Sequence, residues 1–159
     1  MYKPLSEFDF RIYSNDKTSH ITFILEEYIH ERLPSLACTI EVVDNKFIGW
    51  NINVWFELDK LLSFITELED LEIKRQGSVT LNAMSPHEFN ITIENYNKKG
   101  DLLVNYSLTN IKYNTDICLR NTLTGGFKID SEFLLKLLSD FNKFSSVANL
   151  GVDIEFYKK

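Results

Sequence analysis

Carboxylates are the most concentrated chemical groups in this chain. Between Glu57 and Glu72, six of them (Glu57, Asp59, Glu67, Glu69, Asp70 and Glu72) stand against the single cation Lys60, a local balance of −5 in a protein whose formal charge is −6. Such a cluster permits three readings. Paired carboxylates can divide acid and base roles when a cleft raises one pKa. An acidic field can draw and orient a basic partner. An amphipathic surface helix also carries charge opposite its apolar stripe with no further role. A second acidic group, Glu26, Glu27 and Glu31, brackets the aromatic Tyr28.

Other reactive patterns are missing from the sequence. His20, His30 and His87 are far apart, and none lies three or four residues from another His or a Cys, so the spacing of a metal site is absent. Gly125-Gly126 has no third glycine and no following Lys-Ser/Thr, and reads as a tight turn rather than a phosphate cradle. Cys38 and Cys118 are expected to be reduced and buried. No catalytic residue, metal or cofactor is therefore expected. Trp50 and Trp55 lie five residues apart in one extended stretch, so a regular strand would turn them to opposite faces and leave one outside the core.

The elements that hold these groups follow from periodicity. Residues 1–159 read as one domain, with 44% hydrophobic and 13% aromatic residues and only three Pro and six Gly. Phe8, Phe10 and Ile12 alternate with Glu7, Asp9 and Arg11, and strands are expected over His20 to Ile29, Leu36 to Val43 and Phe47 to Phe56. Ser14 to Lys17, Arg32 to Ser35 and Asp44 to Lys46 supply turn chemistry, and such short connections suit antiparallel neighbours. From Leu58 the period changes to helical, with Leu58, Leu61, Leu62, Ile65, Leu68 and Leu71 on one face.

Three more strands are expected, Ser78 to Ala83, Glu88 to Tyr96 and Asp101 to Ile111, with a hairpin at Asn97 to Gly100. An irregular piece, Lys112 to Thr124, then leads to a short strand, Phe127 to Ile129. Leu134, Leu137, Leu138, Phe141 and Phe144 line a second helix, and Val152 to Tyr157 returns as an edge strand. Asp59 and Asp130 are placed to cap the two helices. The expected fold is α+β, a mainly antiparallel sheet of about seven to nine strands carrying two α-helices, in two loosely similar halves that each run strand then helix.

No Lys/Arg run interleaved with aromatics is present, which argues against direct nucleic-acid binding. No apolar run approaches the roughly 18 residues of a membrane helix, and residues 1–7 lack the pattern of a signal peptide. The expected location is the cytoplasm. Asn90-Ile91-Thr92 and Asn105-Tyr106-Ser107 match the glycosylation pattern, which has no meaning without secretion.

From Phe56 to about Phe144 the chain resembles the WapI family of bacterial immunity proteins, which are encoded beside polymorphic toxins of the wall-associated type. The likeness is carried by the order and spacing of the helix after Phe56-Glu57-Leu58, then Gln76-Gly77-Ser78-Val79-Thr80-Leu81, Met84-Ser85-Pro86-His87-Glu88-Phe89, Lys99-Gly100-Asp101-Leu102-Leu103-Val104, and Phe127-Lys128-Ile129-Asp130. The chain departs from the pattern at Asp101, where His is common, and at Ser131, where Gln is common. The resemblance implies a non-catalytic cytoplasmic inhibitor that binds the C-terminal domain of a cognate toxin, expected to be a nuclease with a basic groove. Glu67, Asp70 and Glu26 are then the expected acidic contacts and Trp50 the apolar anchor. The alternatives are a small enzyme using paired carboxylates and an oligomeric structural protein.

Overall fold

Alternating burial converts the first third of the chain into a meander, and the change to a helical period then folds the next segment back over it. The computed structural model describes residues 6–156. Its strands are β1 (Phe10–Tyr13), β2 (Ser19–Ile29), β3 (Ser35–Asp44), β4 (Phe47–Glu57), β5 (Ser78–Asn82), β6 (Phe89–Asn95), β7 (Leu102–Tyr113), β8 (Cys118–Ile129) and β9 (Ile154–Glu155). The helices are α1 (Leu58–Lys74), between β4 and β5, and α2 (Leu134–Ser145), between β8 and β9.

The architecture is α+β, and the strands divide into two antiparallel sheets. The first has the order β1-β2-β3-β4, with β9 pairing the far end of β2; the second has the order β5-β6-β7-β8. Strand and helix boundaries fall close to expectation except after β7. There the supposedly irregular stretch is a continuous antiparallel ladder, Leu102 opposite Ile129 through to Tyr113 opposite Cys118. Its polar Asn, Thr and Arg residues carry no strong strand pattern, and backbone pairing with β7 sets their conformation instead. Of the expected last strand, only Ile154–Glu155 is paired, while Tyr157 and residues 1–5 lie outside the described residues.

Both proposed helix caps are corrected. Asp59 lies within the first turn of α1, the cap position belongs to Glu57, and no side chain bonds there. Asp130 precedes a short 3-10 turn leading into α2, but its carboxylate accepts from Asn15 Nδ2 at 2.8 Å. On α1, Leu62 is exposed and Phe64 takes the buried place, its ring 5.0 Å from Phe141 of α2. The C-terminus of α1 closes on Arg75 in the left-handed region, whose guanidinium holds Glu72 at 2.7 Å and the Ser131 carbonyl at 3.0 Å, fastening α1 to the approach of α2.

Phenylalanines join the layers. Phe23 of β2 has its ring 4.8 Å from Phe10, 5.6 Å from Phe141, 5.9 Å from Phe144 and 5.9 Å from Phe89 of the second sheet. Each fully buried ring of this kind stabilises by about 1.5–3 kcal/mol relative to exposure. The sheets also bond directly. Tyr106 donates to Asp44 Oδ2 at 2.5 Å and Asn51 Nδ2 donates to the Thr109 carbonyl at 2.8 Å, while within the first sheet Ser19 donates to Asp44 Oδ1 at 2.8 Å. Burial, reinforced by the Asp44 contact, raises the Tyr106 pKa well above its ordinary value. Gly125 makes this clamp possible, since a Cβ there would lie 2.5 Å from Asp44 Oδ2.

Candidate functional site

Strand β4 begins inside out. Gly49 and Asn51 oppose Val42 and Ile40 on the inner face of the first sheet, so the alternation turns Ile48, Trp50 and Ile52 to the outside, where they are 64%, 64% and 61% exposed. The inner side has no room for larger groups. A Cβ on Gly49 would stand 3.3 Å from Leu123 and 3.5 Å from Leu108, and Asn51 is committed to the backbone of β7. Small and amide residues face inward because the second sheet presses on this end of β4; the large apolar ones are left in water.

Halfway along, the strand corrects itself with a bulge. Asn51 opposes Ile40 and Val54 opposes Cys38, so Ile52 and Asn53 together face Thr39, and Asn53 takes the left-handed backbone with φ 54°. The inserted residue reverses the pleat. Val54 and Phe56 turn inward and are fully buried, while Trp55, opposite Ala37, comes out on the same side as Trp50, opposite Glu41. The two tryptophans therefore share the outer face, contrary to the expectation from a regular strand. Trp55 is half-buried there and Trp50 stands free.

A second bulge supplies charge. On β2, Glu26 is the extra residue between the Leu25/Cys38 and Glu27/Ala37 pairs, which sets Glu26 and Glu27 together on this outer face. The Thr39 hydroxyl donates to the Glu26 carboxylate. A row across the four strands, Arg11, Thr22, Glu41 and Trp50, completes the surface. Arg11 donates to Thr22 at 2.8 Å and to the Tyr13 hydroxyl at 3.2 Å, and lies 3.5 Å from Glu41. His20 Nε2 is buried without a hydrogen-bond partner, 3.6 Å from Glu41 Oε1, and burial together with the Arg11 charge lowers its pKa despite the opposing pull of Glu41.

Of the four residues expected to contact a partner, the structure brings Trp50 and Glu26 to one face. Glu67 and Asp70 lie elsewhere, exposed on α1 along a shallow groove of about 200 Å³ formed with Gln76, Gly77 and Val79. Glu67 also borders a larger cleft of about 500 Å³ between α1 and β5, with Lys60, Asn82 and Pro86. Trp50 lines a separate groove of about 260 Å³ with Phe47, Asn110, Asn121 and Leu123.

Ile48, Ile52 and Tyr13 were not singled out by sequence reasoning. The signal available was Gly49 and Asn51 alternating with three large apolar residues, the reverse of a strand whose large side chains point inward. Cys118 also differs from expectation. It is exposed, whereas Cys38 is buried and its thiol pKa is raised by that burial. Among the described residues no three His, Cys, Asp or Glu side chains gather as a metal site, and no helix is long and apolar enough to cross a membrane. No family model, curated protein or solved structure matches the chain.

Proposed function

We propose that this protein is a non-catalytic immunity protein that binds and neutralises the C-terminal domain of a cognate toxin in the cytoplasm. One observation carries the reading. Ile48, Trp50 and Ile52 stand in water on a bare sheet face that two bulges also furnish with Trp55, Glu26 and Glu27. Exposed apolar area costs about 25 cal/mol per Å², and a partner that covers it recovers that free energy. Tryptophan is over-represented among the residues that dominate interface energies. The neighbouring carboxylates favour a partner with a basic surface, as a nuclease groove must be. The acids of α1, including Glu67 and Asp70, act at longer range as a steering field rather than as the anchor.

The test is co-expression with the toxic domain encoded directly upstream, followed by affinity capture and a growth assay. Trp50→Asp should abolish capture and protection with an unchanged circular dichroism spectrum. Glu67→Lys with Asp70→Lys should instead slow association in a salt-dependent manner. Full protection by the Trp50→Asp variant overturns the reading.

A further inference from the structure

Free sheet edges expose rows of unpaired N–H and C=O groups, and proteins ordinarily blunt them with short strands, bulges, charges or cover. Four of the edges here are treated in that way. β1 has four residues and lies against α2; β9 has two; β4 carries the Asn53 bulge; β5 is flanked by α1. β8 is the exception. It runs twelve residues without a proline or a register shift, and Arg120 and Lys128 are its only ionised side chains. Outside the β7 ladder, Lys128 O accepts from Asn15 N at 3.0 Å.

The exposed part of that edge is also poorly supported. β6 ends its pairing with β7 at Phe89 opposite Leu108, so residues 109–122 continue as a two-stranded ribbon. Such ribbons are marginal alone in water, and this one carries Tyr113, Ile117 and Leu119 at 78%, 52% and 46% exposure.

We propose that β8 is a dimerisation edge, on which a second copy of this chain lays its own β8 antiparallel about a two-fold axis at Asn121. The sequence selects that register. Centred on Asn121, each Leu119 faces Leu123 of the second copy, Cys118 faces Thr124, and Arg120 faces Thr122. Leu119 and Leu123 share a face, since they are four residues apart in a regular strand. A centre at Arg120 would set like charges against each other, and a centre at Thr122 would set Asn121 against Leu123. An isologous two-fold contact requires this kind of self-complementarity, whereas a strand from an unrelated partner does not. The product is a continuous sheet made from two four-stranded ones. Asn121 and Leu123 also line the Trp50 groove, so the paired edge borders that end of the first sheet's exposed face.

The experiment uses the purified full chain without any toxin, so its outcome is independent of the neutralising reading. Light scattering should give twice the 18.6 kDa chain mass. Asn121→Cys in a Cys118→Ser background should form an intermolecular disulfide on mild oxidation, because directly opposed strand residues have Cβ atoms about 4.5–5.5 Å apart. The equivalent Thr80→Cys variant, on the second sheet away from this edge, should not. Asn121→Lys places ammonium groups opposite each other and should give a monomer with an unchanged circular dichroism spectrum and a melting temperature that no longer depends on protein concentration; Leu119→Asp, also at an exposed position, should do the same. A wild-type monomer at every concentration, or a dimer that survives both substitutions, overturns the proposal.

Discussion

Where β5, β6 and β7 pair, the second sheet presents to water what an antiparallel sheet with one wet side ordinarily presents: Thr80 and Thr92 sharing a hydrogen bond at 2.8 Å, Asn105 donating to Glu94 at 3.1 Å, and Asn90 and Ser107 in the same array. The first sheet presents Ile48, Trp50, Ile52 and Tyr13. Their inner faces obey the same rule, since both contribute large apolar side chains to one connected core. The difference is therefore confined to the outside. The apolar residues of the first sheet's outer face lie outside the core that the two sheets share.

The comparison can be broken most forcefully from within. Phe23→Ala removes the ring at which β2, α2 and β6 meet, and should cost about 3–5 kcal/mol in urea unfolding. That is a large share of the roughly 5–15 kcal/mol expected for a whole domain. Both sheets should lose protection from hydrogen exchange together; loss confined to one would mean that the shared core is not cooperative. A much smaller effect is expected from Ile48→Thr on the first sheet and Thr92→Ala on the second, each within about 0.5 kcal/mol of wild type. A larger loss from Ile48→Thr would give that face a structural role and weaken the contrast.

The finest test uses acid. His20 sits on the first sheet's outer face beside Tyr13, Arg11 and Glu41, with its folded pKa below the ordinary value of 6.5. The unfolded chain therefore takes up a proton where the folded one does not, so stability should fall as pH drops below about 6.5 and level off once the folded group also titrates. Denaturation series at stepped pH should show this slope, and His20→Gln should flatten it.

Periodicity made most of the elements legible. Leu134, Leu137, Leu138, Phe141 and Phe144 are all buried on α2, as their spacing requires, and the first four strands lie within a residue or two of expectation. Where the reading failed, the deciding partner was remote in sequence. Asn15 draws Asp130 away from the helix it precedes, and β7 organises a stretch whose own residues are noncommittal. The candidate surface was only half visible. Trp50 and Glu26 could be singled out by type, but their gathering with Trp55 and Glu27 depends on two bulges, which leave no mark in a pattern of alternate residues.

The insertion at Asn53 sets the parity of β4. Removing one residue there would return the strand to simple alternation, so that either its first half or its last would present its opposite side to the core. A change of chain length by one amino acid would thus exchange most of the side chains that this sheet displays. A one-residue insertion or deletion would therefore alter the outer face of β4 more than any single replacement could.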